Sequence, residues 1–317
     1  MNIKLRARNL IASDIFLPLA LFVTIALINI LLQPTFFKVW VIRSNFASFT
    51  PVIMAAIGQA IILLSGNLDL SAGAGISLLN CVMASTMKPE PPGMNILALL
   101  LTFAAALAIG GVNGVLVGYF RLPALITTFA TSAVWFGVAL SIRPSPGGFV
   151  APWVSKLFQA HVWIISFPLL MIVGGVFLWR MIKRRKIGRY IYAVGSNEEG
   201  AFDSGINTRR IKLYAYMIGW GFMFLSAFSI TAQMSSGDAY MGSPFTMNSI
   251  AASVVGGISL AGGRGAVGGA ALGAVILSMI MNVIFYANLP SFLQEFVKGL
   301  IIVLALGTTV LYKRKRS

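Results

Sequence analysis

Asp69 is the residue of this sequence whose position most needs a chemical explanation. It lies within SGNLDLSAG, residues 65–73, between two strongly apolar runs, in a chain of 317 residues that has only eight acidic residues. Burying a carboxylate costs free energy unless hydrogen bonds or an opposite charge replace the lost water. Three uses could justify that cost: a proton relay, hydrogen bonding to a polar substrate, or capping, by Asp69 or Ser71, of the next helix.

The distribution of the acidic residues argues against a proton relay. Carriers coupled to protons or ions usually have several intramembrane groups that change protonation or coordinate the ion. All acids except Asp69 fall in loops, in tails or at the ends of apolar runs: Asp14, Glu90, Glu198, Glu199, Asp203, Asp238 and Glu295. Any transport is therefore expected to be driven from outside this chain, and for Asp69 a helix cap is favoured over a contact with substrate.

Other catalytic and cofactor patterns are missing from the sequence. There is no GxxxxGK[ST] phosphate loop, and GRGAVG at 263–268 lacks the preceding strand and the downstream acid of a dinucleotide site. The single cysteine, Cys81, lies inside an apolar run, and the single histidine, His161, has no acid or cysteine near it. The sequence thus predicts no enzyme activity, no catalytic residue, no metal site and no cofactor.

Polar residues within or beside the apolar runs form a candidate substrate path. Asn67 and Asp69 could bind the hydroxyl groups of a neutral polyol, which suits a pathway with few fixed charges. The candidates are Gln59, Asn67, Asp69, Ser71 and Asn113, and Asn80, Thr127 and Thr128 are of the same polar type. Each could equally hydrogen-bond a neighbouring helix, so both interpretations stay open.

The elements that must position these residues are membrane-spanning helices. Apolar residues make up 58% of the chain and charged residues 10%, and the mean hydropathy is +0.87. Several runs approach or exceed the ~20 residues that a helix needs to cross a bilayer, and the alternation typical of a barrel is missing. We predict an all-α, polytopic bundle with about ten spans, at 15–33, 51–65, 71–87, 96–119, 122–142, 162–181, 213–233, 247–261, 266–287 and 293–312.

Two regions, near 51–87 and 247–265, are predicted to contain broken or short helices. Their spans are short for a full crossing, and glycine or polar residues interrupt the junctions. Non-helical backbone at membrane depth must be buried in protein or line an aqueous cavity, because lipid satisfies no hydrogen bonds.

Basic residues define the expected orientation. The net charge of +16 collects between the apolar runs, which argues against nucleic-acid binding. With ten spans both termini share one side, and most of the 24 Lys and Arg residues fall on it, so the positive-inside rule makes that side cytoplasmic. The apolar run that follows MNIKLRAR shows no cleavage site and is expected to be a retained first helix. The whole chain, 1–317, is predicted to be one transmembrane domain.

The longest basic loop, 182–212, is the candidate docking element of the chain. Within it SNEEGAFDSGIN is predicted to form a short helix, with Ser196 or Asn197 as N-cap and Gly205 just beyond its end. A solvated charged loop is the alternative. Small residues also recur at helical spacing in two rows, where packing within the bundle is favoured over a dimer face: Gly110, Gly114 and Gly118, and Gly265, Gly269 and Gly273.

Three blocks of the sequence resemble the inner-membrane permeases of ribose-type (monosaccharide) ABC importers. GNLDLSAGAGISL resembles a signature of that family, in which Asp-Leu-Ser follows an apolar helix. IGRYIYAVGSNEEGAFDSGIN is similar to the family's cytoplasmic loop, with Gly200 where the family often has alanine. IAASVVGGISLAGGRGAVGGAALGAVIL resembles its late glycine-rich block, and together the blocks extend from about residue 58 to 300.

The resemblance implies a permease that moves a monosaccharide or related polyol across the bacterial inner membrane by alternating access. Its implied partners are a cytoplasmic ABC ATPase, which binds the ATP, a periplasmic sugar-binding protein and a second permease subunit. The residues expected to dock the ATPase are Asn197, Glu198, Glu199, Ala201, Ser204 and Gly205, and the structural glycine-rich block comprises Gly256, Gly257, Gly262, Gly263, Arg264 and Gly265. The alternative is a sugar facilitator or channel that works without ATP.

Overall fold

The computed structural model describes residues 16–288 and positions 290, 293, 296, 299 and 300. The described part is mostly helical, as predicted, with one antiparallel hairpin of β1 (His161–Val162) and β2 (Ile165–Ser166). In chain order the helices are α1 (Phe16–Leu32), α2 (Val39–Leu64), α3 (Ala72–Thr86), α4 (Pro92–Gly118), α5 (Ala124–Ile142), α6 (Pro152–Gln159), α7 (Phe167–Arg184), α8 (Lys186–Ser196), α9 (Glu198–Asp203), α10 (Thr208–Met234), α11 (Phe245–Val255) and α12 (Val267–Tyr286).

Among the described helices, five are long and apolar enough to cross a membrane: α2, α4, α5, α10 and α12. Three more, α1, α3 and α11, are apolar but shorter. The last predicted span, 293–312, falls almost entirely outside the described residues. The count of ten spans and the location of both termini therefore remain predictions.

The second predicted span, 51–65, is wrong at its start. The structure has one continuous helix of 26 residues there, α2, with Pro51 inside it. Polar residues around Arg43 lower the hydropathy of its first half, and proline usually ends a helix. Pro51 is buried, and its carbonyl oxygen accepts a hydrogen bond from the Ser226 hydroxyl of α10 (2.8 Å), so the uninterrupted helix is packed against the bundle at this point.

The other short helices of these two regions are confirmed. α3 has 15 residues and α11 has 11, and each is flanked by non-helical backbone: residues 65–71 before α3 and 256–266 after α11. We refer to residues 65–71 as the motif loop and to residues 256–266 as the glycine loop.

Rows of glycine let the helices of the bundle approach closely. A Cβ added at Gly110 of α4 would lie 2.9 Å from Cβ of Trp220, and one at Gly114 would lie 2.9 Å from Cα of Leu213, both on α10. In the second row Gly273 faces the Ala252 carbonyl oxygen of α11, and Gly269 faces Gly256 just after α11. The prediction of helix packing within the subunit is confirmed for these two glycines and for the first row, whereas Gly265 lies in the loop before α12.

Replacing Gly114 by alanine is expected to destabilise the bundle by about 1 to 3 kcal/mol, because the new methyl group meets backbone of α10 that cannot move aside alone. Gly111 is the matched control, since a Cβ there meets nothing within 4 Å. Gly111→Ala should be neutral or stabilise α4 by about 0.5 to 1 kcal/mol. Thermal unfolding of the two purified variants in detergent checks this, and equal midpoints would contradict the packing described here.

Candidate functional site

The motif loop connects α2 to α3, and its four polar residues, Ser65, Asn67, Asp69 and Ser71, are buried. Gly66 takes a positive φ of 80°, so the chain turns sharply as it leaves α2. The Asn67 side chain holds this turn, because its Nδ2 donates to the carbonyl oxygen (3.1 Å) and to the hydroxyl (3.0 Å) of Ser65. The turn directs Asp69 into the interior of the bundle.

The Asp69 carboxylate is completely buried and accepts four hydrogen bonds from uncharged donors. Oδ1 accepts from the backbone N–H of Ser71 (2.8 Å) and from its hydroxyl (2.6 Å). Oδ2 accepts from the indole Nε1 of Trp220 (2.9 Å) and from Nδ2 of Asn113 (3.3 Å). Hydrogen bonds to a charged group contribute about 1.5 to 3 kcal/mol each, so this set can offset the cost of burying the carboxylate.

The backbone of the motif loop is held by other helices. With its amide turned to match, Gln59 of α2 donates to the Asp69 carbonyl oxygen (3.3 Å) and accepts from the Asp69 N–H (3.2 Å). Thr128 of α5 accepts from the Leu70 N–H (3.0 Å), and the Tyr216 hydroxyl of α10 donates to the Leu68 carbonyl oxygen (3.3 Å). The loop is therefore a junction of four long helices: α2, α4, α5 and α10.

Four of the five candidate path residues meet at this junction: Gln59, Asp69, Ser71 and Asn113. Asn113 also donates to the Ser71 hydroxyl (2.8 Å) and accepts from Thr131 (2.9 Å), so these side chains hydrogen-bond one another inside the subunit. Asn67 is the candidate that lines a cavity. Ser71 occupies the N-cap position of α3, but its side chain accepts no hydrogen bond from the first turn, where the Gly73 N–H donates to the Thr246 hydroxyl instead (2.8 Å). Capping of the first-turn amides by Asp69 or Ser71 is therefore wrong, and a role in a substrate path remains a prediction.

Sequence reasoning missed Trp220 and Tyr216, the two aromatic residues of the junction. Both lie on α10, about 150 residues from the motif loop, and both are fully buried. A buried indole or phenol usually needs a hydrogen-bond partner. The polar ends of aromatic residues in an apolar span were therefore the available signal, although the sequence does not identify their partners.

Asn80, another polar candidate, forms three hydrogen bonds within the subunit. Its Nδ2 donates to the Thr231 hydroxyl (2.8 Å) and to the Ser236 carbonyl oxygen (3.0 Å), and its Oδ1 accepts from the Asp238 N–H (2.7 Å). Asn80 therefore fastens α3 to the end of α10.

The candidate docking segment, 182–212, folds as two short helices, α8 and α9. The predicted short helix is confirmed as α9, and of the two candidate caps Asn197 is the one that accepts from the Gly200 N–H (3.0 Å). Gly205 follows its end with φ at 80°. Glu198 forms an ion pair with Lys212 of α10 (2.6 Å), so α9 is attached to the long helix that carries Trp220.

The remaining docking candidates have different surroundings. Ala201 is the buried residue of α9, and the Ser204 hydroxyl donates to the Gly200 carbonyl oxygen (2.8 Å), so both support the helix itself. Glu199 is exposed.

Glycines from three separate segments meet where α8 reaches the motif loop. A Cβ added at Gly195 would overlap the Leu64 carbonyl oxygen and would lie 2.8 Å from the Gly263 nitrogen and 2.9 Å from the Gly66 nitrogen. Gly263 also donates from its N–H to the Leu64 carbonyl oxygen (3.1 Å). The docking segment, the motif loop and the glycine loop are thus in direct backbone contact.

Two hydroxyl groups of α8 strengthen this contact with the glycine loop. Ser196 donates to the Gly263 carbonyl oxygen (3.3 Å), and Tyr192 donates to that of Gly265 (3.1 Å). Burial raises the pKa of the Tyr192 phenol above its ordinary value, so the hydroxyl stays protonated as a donor.

The rest of the glycine-rich block shapes the glycine loop. Positive φ values at Gly257, Gly262 and Gly265 fold the loop back on itself, and the Arg264 carbonyl oxygen accepts from the Ser259 N–H (3.0 Å). Gly256 lies at the end of α11 in direct backbone contact with α12.

A cleft of about 1260 Å³ lies between the motif loop, α9 and the turn from α4 to α5. Asn67 and Leu68 of the motif loop line it, as do Asn197, Glu198 and Glu199. Phe202 of α9 also lines the cleft and is 65% exposed. The cleft therefore places exposed charged and aromatic groups beside the motif loop.

Known proteins resemble the chain over most of its length. A family model described as branched-chain amino acid transport system / permease component matches residues 41–306. The chain is similar to ribose import permease proteins of Haemophilus influenzae (30% identity over 293 residues) and Escherichia coli K12 (32% over 295), with 90% of each chain covered. It is also similar to the autoinducer 2 import system permease protein of Photorhabdus luminescens (30% over 275 residues, 86% of this chain and 82% of the relative). No solved structure matches the chain.

Proposed function

The chain belongs to the branched-chain amino acid transport system / permease component family, and we propose that it forms the translocation path of an ABC importer for a monosaccharide or related polyol. It is a multi-pass membrane protein, and its relatives are transport permeases. The observation that carries the proposal is the direct backbone contact between the docking segment, the motif loop and the glycine loop. A separate ATPase can drive alternating access through such a contact.

The substrate class rests on the relatives. The family description names branched-chain amino acids, whereas relatives that match over about 90% of both chains are named for ribose import. A neutral polyol also agrees with the few fixed charges of the spans. We therefore propose the polyol class without naming one sugar.

The finer features of the assembly belong to the same proposal. About ten spans cross the bacterial inner membrane with both termini in the cytoplasm, and a second permease subunit completes the path. The ATPase docks on α9 from the cytoplasm, and a periplasmic binding protein delivers the substrate. The placement of Glu199 and Phe202 on an exposed face beside the cleft supports α9 as the docking element.

Phe202→Ala is expected to weaken binding of the ATPase at least 10-fold, because exposed aromatic residues frequently anchor protein interfaces. Its side chain is mostly exposed, so the fold should be unaffected. Phe37→Ala is the matched control, because the Phe37 side chain is 68% exposed and lies in the turn just before α2 begins. Substrate-stimulated ATP hydrolysis by the reconstituted complex should fall for Phe202→Ala alone, and unchanged hydrolysis with unchanged ATPase affinity would refute docking at α9.

Purified protein in liposomes separates the importer from a facilitator. The importer should take up a labelled sugar only when the ATPase, ATP and the binding protein are all present. Rapid uptake without any of them would support the facilitator and contradict the proposal.

A further inference from the structure

Six exposed basic residues surround the corner where α7 ends and α8 begins: Arg180, Lys183, Arg184, Arg185, Lys186 and Arg189. Among the described residues the only ion pair is Lys212–Glu198, so within that part of the chain these six have no acidic partner. A surface with this much uncompensated positive charge can bind a partner that carries negative charge.

The corner has a fixed geometry. A Cβ added at Gly188 of α8 would overlap Cα of Lys183 and lie 2.5 Å from the Ile182 carbonyl oxygen, so the two helices touch backbone to backbone. The Lys183 ammonium also lies 4.9 Å from the centre of the Tyr192 ring, a cation–π contact between α7 and α8. The basic groups are therefore presented by a preorganised surface.

An exposed apolar stripe on α7 leads directly to this corner. Leu170, Val173, Phe177 and Met181 are exposed and follow one another at helical spacing, so they share one face. Arg184 continues the same spacing. An apolar stripe that ends in a basic residue matches the order of groups in a phospholipid, whose apolar tails end in a phosphate headgroup.

We propose that the α7–α8 corner binds the phosphate groups of anionic phospholipids. Arg184 would contact the headgroup of a lipid whose tails lie along the stripe, while Arg185, Lys186 and Arg189 reach its neighbours. The phosphate chemistry alone would also fit free phosphate, but the continuity of the stripe with Arg184 favours the lipid. This inference is independent of the molecule that the chain transports.

The test uses the purified full-length chain and native mass spectrometry. Its affinity for phosphatidylglycerol is compared with that for phosphatidylcholine with the same acyl chains. Each basic residue near an anionic headgroup contributes about fivefold in affinity. The double variant Arg184→Gln, Arg185→Gln should therefore bind phosphatidylglycerol roughly 10- to 30-fold more weakly, while its affinity for phosphatidylcholine stays unchanged. The charge-preserving variant Arg184→Lys, Arg185→Lys should retain most of the binding.

The double variant Arg209→Gln, Arg210→Gln is the matched control, because it removes two exposed positive charges from the start of α10. Equal losses in the two variants would overturn the corner as a specific site. If inorganic phosphate bound as tightly as phosphatidylglycerol, the ligand of the corner would be a free anion and the lipid proposal would be wrong. Unchanged lipid binding together with loss of ATPase or permease association would show that a protein partner covers the corner.

Discussion

Asp69→Asn is expected to destabilise the folded subunit by about 3 kcal/mol, although the change looks conservative in the sequence. All four groups that reach the Asp69 carboxylate donate hydrogen bonds to it. An asparagine amide has one oxygen and one NH₂ group, so in either orientation its NH₂ must face donors. The cost combines the lost bonds to a charge with buried donors left unpaired.

Trp220→Phe provides the partner variant for this experiment. It removes the indole N–H that donates to Asp69 (2.9 Å) and keeps an aromatic ring in the buried position. Alone it should cost about 1 to 3 kcal/mol. Because the two residues share one hydrogen bond, the double variant should lose less than the sum of the single losses.

Thermal unfolding in detergent measures these stabilities, and transport by the reconstituted complex measures function. A variant Asp69→Asn with the stability of the original protein would refute the buried junction as described. If that stable variant also lost transport, the charge would belong to the substrate path, which is the alternative interpretation of Asp69.

Gly195→Ala should separate the docking segment from the motif loop. The added methyl group would overlap the Leu64 carbonyl oxygen and approach the backbone nitrogens of Gly263 and Gly66 to less than 3 Å. All three neighbours are backbone atoms, so at least one segment must move as a unit. We expect a loss of roughly 3 kcal/mol, at the upper end for overpacking, and loss of substrate-stimulated ATP hydrolysis.

Gly174→Ala and Gly221→Ala are the controls, because a Cβ at either position meets nothing within 4 Å. Both should retain stability and coupled ATP hydrolysis. The decisive measurement compares ATP hydrolysis with and without substrate and binding protein. Wild-type stimulation in Gly195→Ala would show that the contact of three segments does not transmit the movement of the ATPase.

Local features of this fold could be predicted from the sequence. The caps of α9 depend on Asn197 and Gly205, which act within a few residues of the helix ends, and they were predicted correctly apart from the choice between Ser196 and Asn197. The short helices α3 and α11 were predicted because glycine and polar residues interrupt the hydropathy. The start of α2 was missed because packing around Pro51 overrides a local signal for a break.

The candidate site was predicted only in part. The sequence located Asp69, Ser71, Gln59 and Asn113 as unusual polar residues in apolar surroundings, but it left open whether they face a substrate or one another. The structure pairs them with one another and adds Trp220, which lies 151 residues from Asp69.

The sequence by itself determined that the chain is a helical membrane protein, that short helices adjoin the motif loop and the glycine loop, and which polar groups must be satisfied. Those properties follow from hydropathy, backbone preference and the cost of unpaired polar groups, all of which act locally. Only the tertiary structure decided which donors meet the Asp69 carboxylate and that Gly66, Gly195 and Gly263 share one contact. Such pairings depend on how distant helices pack. No local pattern specifies which acceptor a buried donor will meet, or which segment will pack against the backbone at a glycine.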